Sequence, residues 1–77
     1  MGNLKTKLLI SNQLHVLRAH KKITQQDLAD AIGVTRATVN ALEKGNYNPS
    51  LELAFRLSLY FKKNIQDIFK VEENSDE

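Results

Sequence analysis

Apolar residues recur at intervals of three or four through most of this 77-residue chain, in short stretches bounded by glycine, proline, asparagine or lysine. That spacing places the apolar side chains on one side of a helix. It occurs in five stretches, at about 12–20, 25–32, 36–44, 51–61 and 65–69. Five short helices joined by short connections predict an all-α domain.

The second and third predicted helices are joined by a tight turn with capping signals on both sides. Thr24 is placed to cap the second helix, and Asp27 at its third position completes a variant of the capping box. Thr35 is placed to cap the third helix. Gly33 lies where the second helix must end, because glycine adopts the left-handed conformation of a helix end at little cost.

The apolar residues of this helix pair are spaced so that the two helices pack against each other. Leu28 and Ile32 are four positions apart on one helix, and Val39 and Leu42 are three apart on the other. Ala29 lies where a close crossing needs a small side chain. The pattern predicts a helix-turn-helix, with an ordinary helical hairpin in a bundle as the alternative. The outward face of the third helix then carries Arg36, Ala37, Asn40, Ala41 and Lys44.

Capping residues also mark the starts of the other helices. Ser11 or Asn12 is expected to cap the first helix, Ser50 the fourth and Asn64 the fifth. The inward stripe of the fourth helix is expected to be Leu51, Ala54, Leu57, Ser58 and Phe61.

Two apolar residues of the fourth helix, Phe55 and Leu59, fall outside that stripe. Two interpretations stay open for them. Either they lie beneath the N-terminal arm, or they form a homodimer surface, and both can hold.

The two ends of the chain differ from the helical centre. The first ten residues have no helical pattern and include three β-tolerant residues, and residues 69–72 alternate with a period of two. A short antiparallel pairing of these two segments is therefore expected, with fraying beyond Val71. The expected division is an N-terminal arm at 1–10, a helix-turn-helix domain at 11–69 and an acidic C-terminal tail at 70–77.

Charge is distributed unevenly along the chain. The formal net charge is +2, but four of the nine acidic residues lie in the last six positions. Without those six residues the body has eleven basic and five acidic side chains, a net charge of +6. Such a body favours polyanions, although a solvated basic surface is the simpler reading of charge alone.

Composition argues against several functional classes. The chain has no cysteine and no apolar run approaching 18 residues, so a soluble, cytoplasmic protein without a membrane span is expected. His15 and His20 are five positions apart, a poor helical spacing for a shared metal. No nucleophile has a plausible base and orienting acid nearby, and no glycine-rich phosphate loop occurs. We expect no enzyme, metal, cofactor or small-molecule sensor domain.

The sequence resembles the small Cro/repressor-type (Xre-like) helix-turn-helix regulators of bacteria and phages, particularly the minimal single-domain repressors. The resemblance spans about residues 12–69. Its most specific segments are ITQQDLA at 23–29, VTRATVNALEKG at 34–45, YNPSLELA at 47–54 and IQDIF at 65–69.

This resemblance implies a five-helix lambda-repressor-like domain that binds double-stranded DNA as a homodimer, with its third helix in the major groove. The implied base-facing residues are Thr35, Arg36, Ala37, Asn40 and Ala41. The implied phosphate contacts are Gln25, Thr38, Lys44, Asn46 and Tyr47. Arg18 and Glu43 match a pair that forms a salt bridge between the first and third helices of the family, the alternative being two independent surface charges. The candidate dimer residues are Phe55, Leu59, Phe69 and Val71.

The chemistry of three of these residues suits the reading of base edges. Arg36 can make a bidentate contact to guanine, and Asn40 can bond adenine or a phosphate. Ala37 can contact a thymine methyl group, but many family members have glutamine at that position, so no target sequence can be transferred.

These observations favour a repressor that binds an inverted-repeat operator as a homodimer. One alternative is a DNA-binding antitoxin that regulates its own operon through the arm or the acidic tail. Another is a protein–protein adaptor that reuses the fold and binds through Phe55, Leu59 and Tyr60.

Overall fold

The computed structural model describes residues 8–73 as five helices and a two-stranded antiparallel sheet. The elements in chain order are β1 (Leu8–Asn12), α1 (Leu14–Lys21), α2 (Gln25–Ile32), α3 (Arg36–Glu43), α4 (Leu51–Phe61), α5 (Ile65–Ile68) and β2 (Phe69–Glu73). The expected five-helix domain and the expected pairing of the two ends are both confirmed.

The helix starts are fixed by side-chain caps at three of the expected positions. Thr24 Oγ1 accepts a hydrogen bond from the Asp27 amide at 3.0 Å, and Asp27 Oδ2 accepts one from the Thr24 amide at 2.9 Å. Thr35 caps α3 and Ser50 caps α4 through the amides three residues further on. Gly33 ends α2 with a φ of +79°, as the turn chemistry predicts.

The other two predicted caps hold only in part. Ser11 lies inside β1, and the backbone turns into α1 at Gln13. Asn12 still serves this helix end, because its Oδ1 accepts from the Leu14 amide at 3.1 Å. Asn64 precedes α5 in an extended conformation but makes no side-chain capping bond.

The core of the domain is apolar and receives residues from all five helices. The buried residues that form it are Leu14, Leu28, Ala29, Ile32, Val39, Leu42, Leu53, Leu57, Phe61 and Ile68. The inward stripe predicted for α4 is wrong at Leu51, which is 71% exposed, while Leu53 is buried instead. Leucines occur on both sides of this helix, so periodicity alone misplaces the boundary of the stripe.

The sheet joins the two ends of the described chain. Leu8 faces Glu73 and Asn12 faces Phe69, with Ile10 opposite Val71 at the centre. The sheet therefore crosses both boundaries expected for an arm ending at residue 10 and a tail starting at residue 70. Pairing continues past Val71 to Glu73, where fraying was expected to have begun, while the rest of the arm and tail lies outside the described residues.

Asn12 ties this sheet to the centre of the fold. Its Nδ2 donates to the carbonyl oxygen of Leu42 in α3 at 2.8 Å, and the Gln13 amide donates to the Ile68 carbonyl at 2.9 Å. The sheet is thus anchored to the C-terminal turn of α3 and to α5.

Candidate nucleic-acid interface

The geometry of the α2–α3 pair leaves one side of α3 free. Leu28 and Ala29 of α2 are completely buried, and so is Val39 of α3. The small Ala29 side chain lets the helices approach closely, and it lies where the sequence predicts a crossing residue. With its apolar side held in the core, α3 directs its polar side outward.

The expected base-facing residues differ in exposure along α3. Thr35, Arg36 and Ala37 at its start are exposed, whereas Asn40 and Ala41 are half-buried. Thr35 Oγ1 accepts from the Thr38 amide at 3.2 Å and lies 3.0 Å from Thr38 Oγ1. These two threonines therefore brace the start of the helix.

A shallow groove of about 340 Å³ separates α2 from the outer face of α3, lined by Gln25, Arg36, Ala37 and Asn40. A second groove of about 530 Å³ lies at the start of α2. Arg36 and Gln25 line both, so these two side chains occupy the rim between them. The structure brings together four of the residues that the resemblance assigns to DNA.

Arg18 and Glu43 form an ion pair between α1 and α3. Arg18 Nε and Nη2 donate to the two carboxylate oxygens of Glu43 at 2.6 and 3.1 Å. Arg18 Nη1 also donates to the carbonyl oxygen of Ile23 at 3.0 Å. The two side chains are 20% and 8% exposed, so the pair is largely withdrawn from water. This two-point contact holds α3 against α1 and the α1–α2 turn.

The environment of Glu43 keeps its carboxylate ionised. Burial acts to raise the pKa of Glu43, but hydrogen bonds from Arg18 and Gln25 and the charge of Arg18 outweigh burial, so the pKa lies below its ordinary value. The pKa of Arg18 is raised, chiefly by its hydrogen bond to Glu43. The pair is charged at neutral pH.

Gln25 makes contacts within the chain that its position at the start of α2 did not indicate. Its Nε2 donates to Glu43 Oε1 at 3.1 Å and to Asn40 Oδ1 at 3.4 Å. Both contacts point toward α3, so the amide donor expected to bind a phosphate is already engaged. Nothing in the sequence pattern connects residues 15 and 18 positions apart, and this network was missed.

The C-terminal end of α3 leads into an exposed loop that carries the remaining expected phosphate contacts. Lys44 and Asn46 are exposed, and Tyr47 is 46% exposed. The loop is fixed by a φ of +76° at Gly45 and by the Asn46 amide, which donates to the Ala41 carbonyl at 3.0 Å. The backbone of this loop thus follows directly from the end of α3.

Arg56 is a further positioning residue that the sequence did not reveal. Its Nη1 donates to the Ile32 carbonyl oxygen at 3.2 Å, at the end of α2, and its Nη2 contacts Glu52 at 2.6 Å. Arg56 therefore fastens α4 to the turn that precedes α3. A Cβ at Gly33 would lie 3.3 Å from Arg56 Nη1, so the glycine leaves room for this contact.

The candidate dimer residues fall into two groups. Phe55 and Leu59 are 52% and 77% exposed and share the outer side of α4 with Leu51. Val71 in β2 is 58% exposed. Phe69 is different, since it is half-buried and packs against the core.

Within residues 8–73, no helix is long and apolar enough to cross a membrane. No group of potential ligands in the same residues is arranged to hold a metal ion.

A capped helix-turn-helix whose second helix presents a polar, positively charged face defines a DNA-binding domain. The comparisons with known proteins agree with this class. The chain belongs to the Xre-like helix-turn-helix family, whose family model, described as helix-turn-helix, matches residues 14–68. It is a DNA-binding transcriptional regulator and not an enzyme.

Similar proteins come from both archaea and bacteria. An uncharacterised HTH-type transcriptional regulator of Methanocaldococcus jannaschii is 46% identical over 65 residues, which are 84% of this chain and 98% of that protein. The cryptic phage CTXphi transcriptional repressor RstR of Vibrio cholerae is 31% identical over 70 residues, 90% of this chain and 63% of RstR. The crystal structure of the transcriptional regulator VanUg superposes with a TM-score of 0.74 at 26% identity, over 96% of this chain and 100% of VanUg.

Proposed function

We propose that this regulator is a transcriptional repressor that binds an inverted-repeat operator as a homodimer and so excludes the transcription machinery. The observation that carries the proposal is the outer face of α3, where Arg36 and Ala37 are exposed beside Asn40 while the opposite side of the helix is fixed in the core. The similarity to RstR, a phage transcriptional repressor, supports the direction of regulation.

In this proposal α3 enters the major groove and its side chains read base edges. Arg36 donates to guanine and Ala37 contacts a thymine methyl group. Thr35, Asn40 and Ala41 complete the face that lies against the bases. The half-buried position of Asn40 and Ala41 means that the first turn of α3 reaches deepest into the groove.

Phosphate contacts come from both ends of the helix-turn-helix. Lys44, Asn46 and Tyr47 are exposed beyond α3, and Thr38 lies near its start. Gln25 is a further phosphate contact at the start of α2, beside the free backbone amides of that helix end. These contacts orient the protein on the duplex without reading its sequence.

Dimerisation through α4 is the second half of the proposal. Leu51, Phe55 and Leu59 are spaced four apart on the outer side of α4 and are all exposed. Exposed apolar residues aligned along one helix are an uncommon feature of a monomer and typical of an interface. To bind an inverted repeat, such a dimer must hold its two α3 helices about 34 Å apart, which is one turn of DNA. A repressor of this kind works where the DNA is, so the proposal includes a location in the cytoplasm.

Selection of bound duplexes from a random library tests both halves at once. The expected result at about 50 mM salt is an enriched palindrome whose half-sites are separated by one helical turn. An enriched but asymmetric site would contradict the homodimer. A library that shows no enrichment would contradict sequence-specific binding and favour an adaptor that binds protein through the outer side of α4.

A further inference from the structure

Four polar side chains, those of Arg18, Glu43, Gln25 and Asn40, form a hydrogen-bonded relay from α1 to the outer face of α3. Arg18 donates two hydrogen bonds to Glu43, at 2.6 and 3.1 Å. Glu43 Oε1 also accepts from Gln25 Nε2 at 3.1 Å, and that same nitrogen donates to Asn40 Oδ1 at 3.4 Å. The relay begins at Arg18, whose side chain can only donate, and ends at Asn40, which lines the groove between α2 and α3.

Each side chain of the relay determines whether the next one donates or accepts, so the direction of every hydrogen bond in the relay is fixed. An ionised carboxylate only accepts, so Gln25 must turn its NH₂ group toward Glu43. That NH₂ group has a second hydrogen, and Asn40 must turn its carbonyl oxygen toward α2 to accept it. The opposite end of the Asn40 amide, Nδ2, then points away from α2, and no hydrogen bond within residues 8–73 uses it.

We propose that this relay sets the base preference of Asn40, so that Asn40 presents a hydrogen-bond donor to the DNA. The inference rests on the proposed function. An unconstrained asparagine binds adenine with both ends of its amide, donating to N7 and accepting from N6. With its oxygen held by Gln25, Asn40 offers only donors, which suit N7 and O6 of guanine or O4 of thymine; adenine offers one acceptor, N7, and its N6–H₂ donor is left without a partner.

The neighbouring residues reinforce this polarity. Arg36 carries donors alone, and Ala37 carries neither donor nor acceptor. The reading face formed by these two exposed residues and the half-buried Asn40 is therefore rich in donors and poor in acceptors. Glu43, 8% exposed and without contact to DNA in this scheme, acts as a positioning residue for that selectivity.

The test is a comparison of the base preferences of four proteins by selection from a random duplex library. Asn40→Ala identifies the base position that Asn40 reads, because this variant should select all four bases equally at that position. Gln25→Met keeps the length of the side chain but cannot donate, so it frees the Asn40 oxygen. At the base position identified with Asn40→Ala, we expect the frequency of adenine among the selected duplexes to be higher by about fivefold or more for Gln25→Met than for the wild type.

Gln26→Met is the matched control. Gln26 is the next residue of α2 and bonds Asp30 at 2.9 Å instead of joining the relay. This variant should keep the wild-type preference at every position, and unchanged backbone amide NMR spectra establish that all variants keep the fold.

Two outcomes overturn the relay. In the first, Gln25→Met keeps the wild-type base preference at the position where Asn40→Ala has lost its preference. In the second, Asn40→Ala keeps its base preference at every position. Side-chain amide NMR of the free protein separates this failure from failure of the proposed function. The Gln25 NH₂ protons should exchange more slowly than those of Gln66, an exposed glutamine of α5, and equal exchange contradicts the relay even if no DNA site is enriched.

Discussion

Arg36 has the position and the chemistry to discriminate between bases. It lies at the first position of α3, is exposed and lines both grooves of the interface. Its guanidinium group offers five donors in a planar fork, which suits the two acceptors of guanine. Its outward position follows from the packing of Val39 and Leu42 on the other side of the helix.

Replacing Arg36 with alanine should weaken binding to the selected operator by roughly 5- to 150-fold, the value of one bidentate base contact. Fluorescence anisotropy at fixed salt measures the loss, and circular dichroism should show an unchanged helix content. Lys63→Ala removes the same charge from the exposed α4–α5 connection and should leave the preference for operator over random DNA intact. Equal losses on operator and random DNA in Arg36→Ala would restrict Arg36 to a phosphate contact.

Glu43 gives a pH-dependent prediction at the same scale. Its pKa is lowered in the folded protein, so its contribution to stability is fully present above the ordinary carboxyl pKa and disappears as the pH falls through the lowered value. Glu43→Gln should cost about 1–3 kcal/mol of unfolding free energy at pH 7 and clearly less near pH 3. Urea denaturation at both pH values measures this difference.

The control for that variant is Glu52→Gln, which removes a carboxylate that contacts Arg56 but is 74% exposed. An exposed pair of this kind contributes at most about 1 kcal/mol, so this variant should change stability little at either pH. A Glu43→Gln protein that behaves like Glu52→Gln would show that burial of the Arg18 pair adds nothing.

At the scale of elements, residues outside the helix-turn-helix fix the end of α2 and the end of α3. Arg56 contacts the end of α2 just before the turn, and Asn12 donates to the Leu42 carbonyl near the end of α3. The N-terminal strand and the fourth helix therefore position the reading helix. Loss of either contact should loosen α3 without removing any residue from the DNA-facing surface.

Asn12→Asp separates the two roles of Asn12. Aspartate retains the oxygen that accepts from the Leu14 amide but cannot donate to Leu42, so the variant should lose about 1–3 kcal/mol of stability and α3 amides should exchange faster. Hydrogen exchange followed by NMR reports both effects. Ser11→Ala, at an exposed neighbouring position of β1, should leave exchange in α3 unchanged. Unaltered exchange in Asn12→Asp would mean that β1 does not hold α3.

The sequence predicted local features of these elements well, because each depends on residues close together in the chain. The capping box at Thr24, the left-handed Gly33 and the small residue at Ala29 all have short-range signatures. The alternation at 69–72 similarly indicated a strand, and the β-tolerant residues near the N-terminus indicated its partner.

Contacts between distant residues had no comparable signature. The bond from Gln25 to Glu43 and the bond from Asn12 to Leu42 join residues 18 and 30 positions apart, and both depend on how the helices are packed. The stripe of α4 was misplaced because Leu51 and Leu53 are equally apolar, and only the packed core distinguishes them.

At the scale of the whole molecule, the reading surface and the candidate dimer surface belong to different helices. The contact of Arg56 with the end of α2 connects them, since Arg56 follows Phe55 directly on α4. In the proposed dimer, the position of each α3 helix relative to the two-fold axis would therefore depend on how α4 packs against the end of α2.

Leu59→Glu should convert the proposed homodimer to a monomer at micromolar concentration, because a charge replaces a side chain that is 77% exposed in the single chain and buried in the pair. Analytical ultracentrifugation measures the change, and affinity for the full inverted repeat should fall to that for one half-site. Gln13→Glu adds the same charge at an exposed site before α1 and should remain dimeric. A dimeric Leu59→Glu protein would place the interface elsewhere.

The distribution of charge predicts the response to salt. If a dimer makes roughly 6–10 phosphate contacts, affinity should fall by about three to five decades between 50 and 200 mM salt. Titrations at four salt concentrations give the slope, with Lys44→Ala expected to reduce it by about one unit for each half-site. A slope near zero would be incompatible with binding through phosphates.

The pairing of Leu8 with Glu73 also orders events during synthesis. Within residues 8–73 all five helices precede β2 in the chain, so β1 is complete during synthesis while its partner strand is still to be added. A product truncated at Ile68 would hold the complete helix-turn-helix but leave Leu8, Leu9 and Ile10 unpaired. An unpaired apolar strand of this kind promotes aggregation, so pairing with β2 also protects the folded chain from self-association.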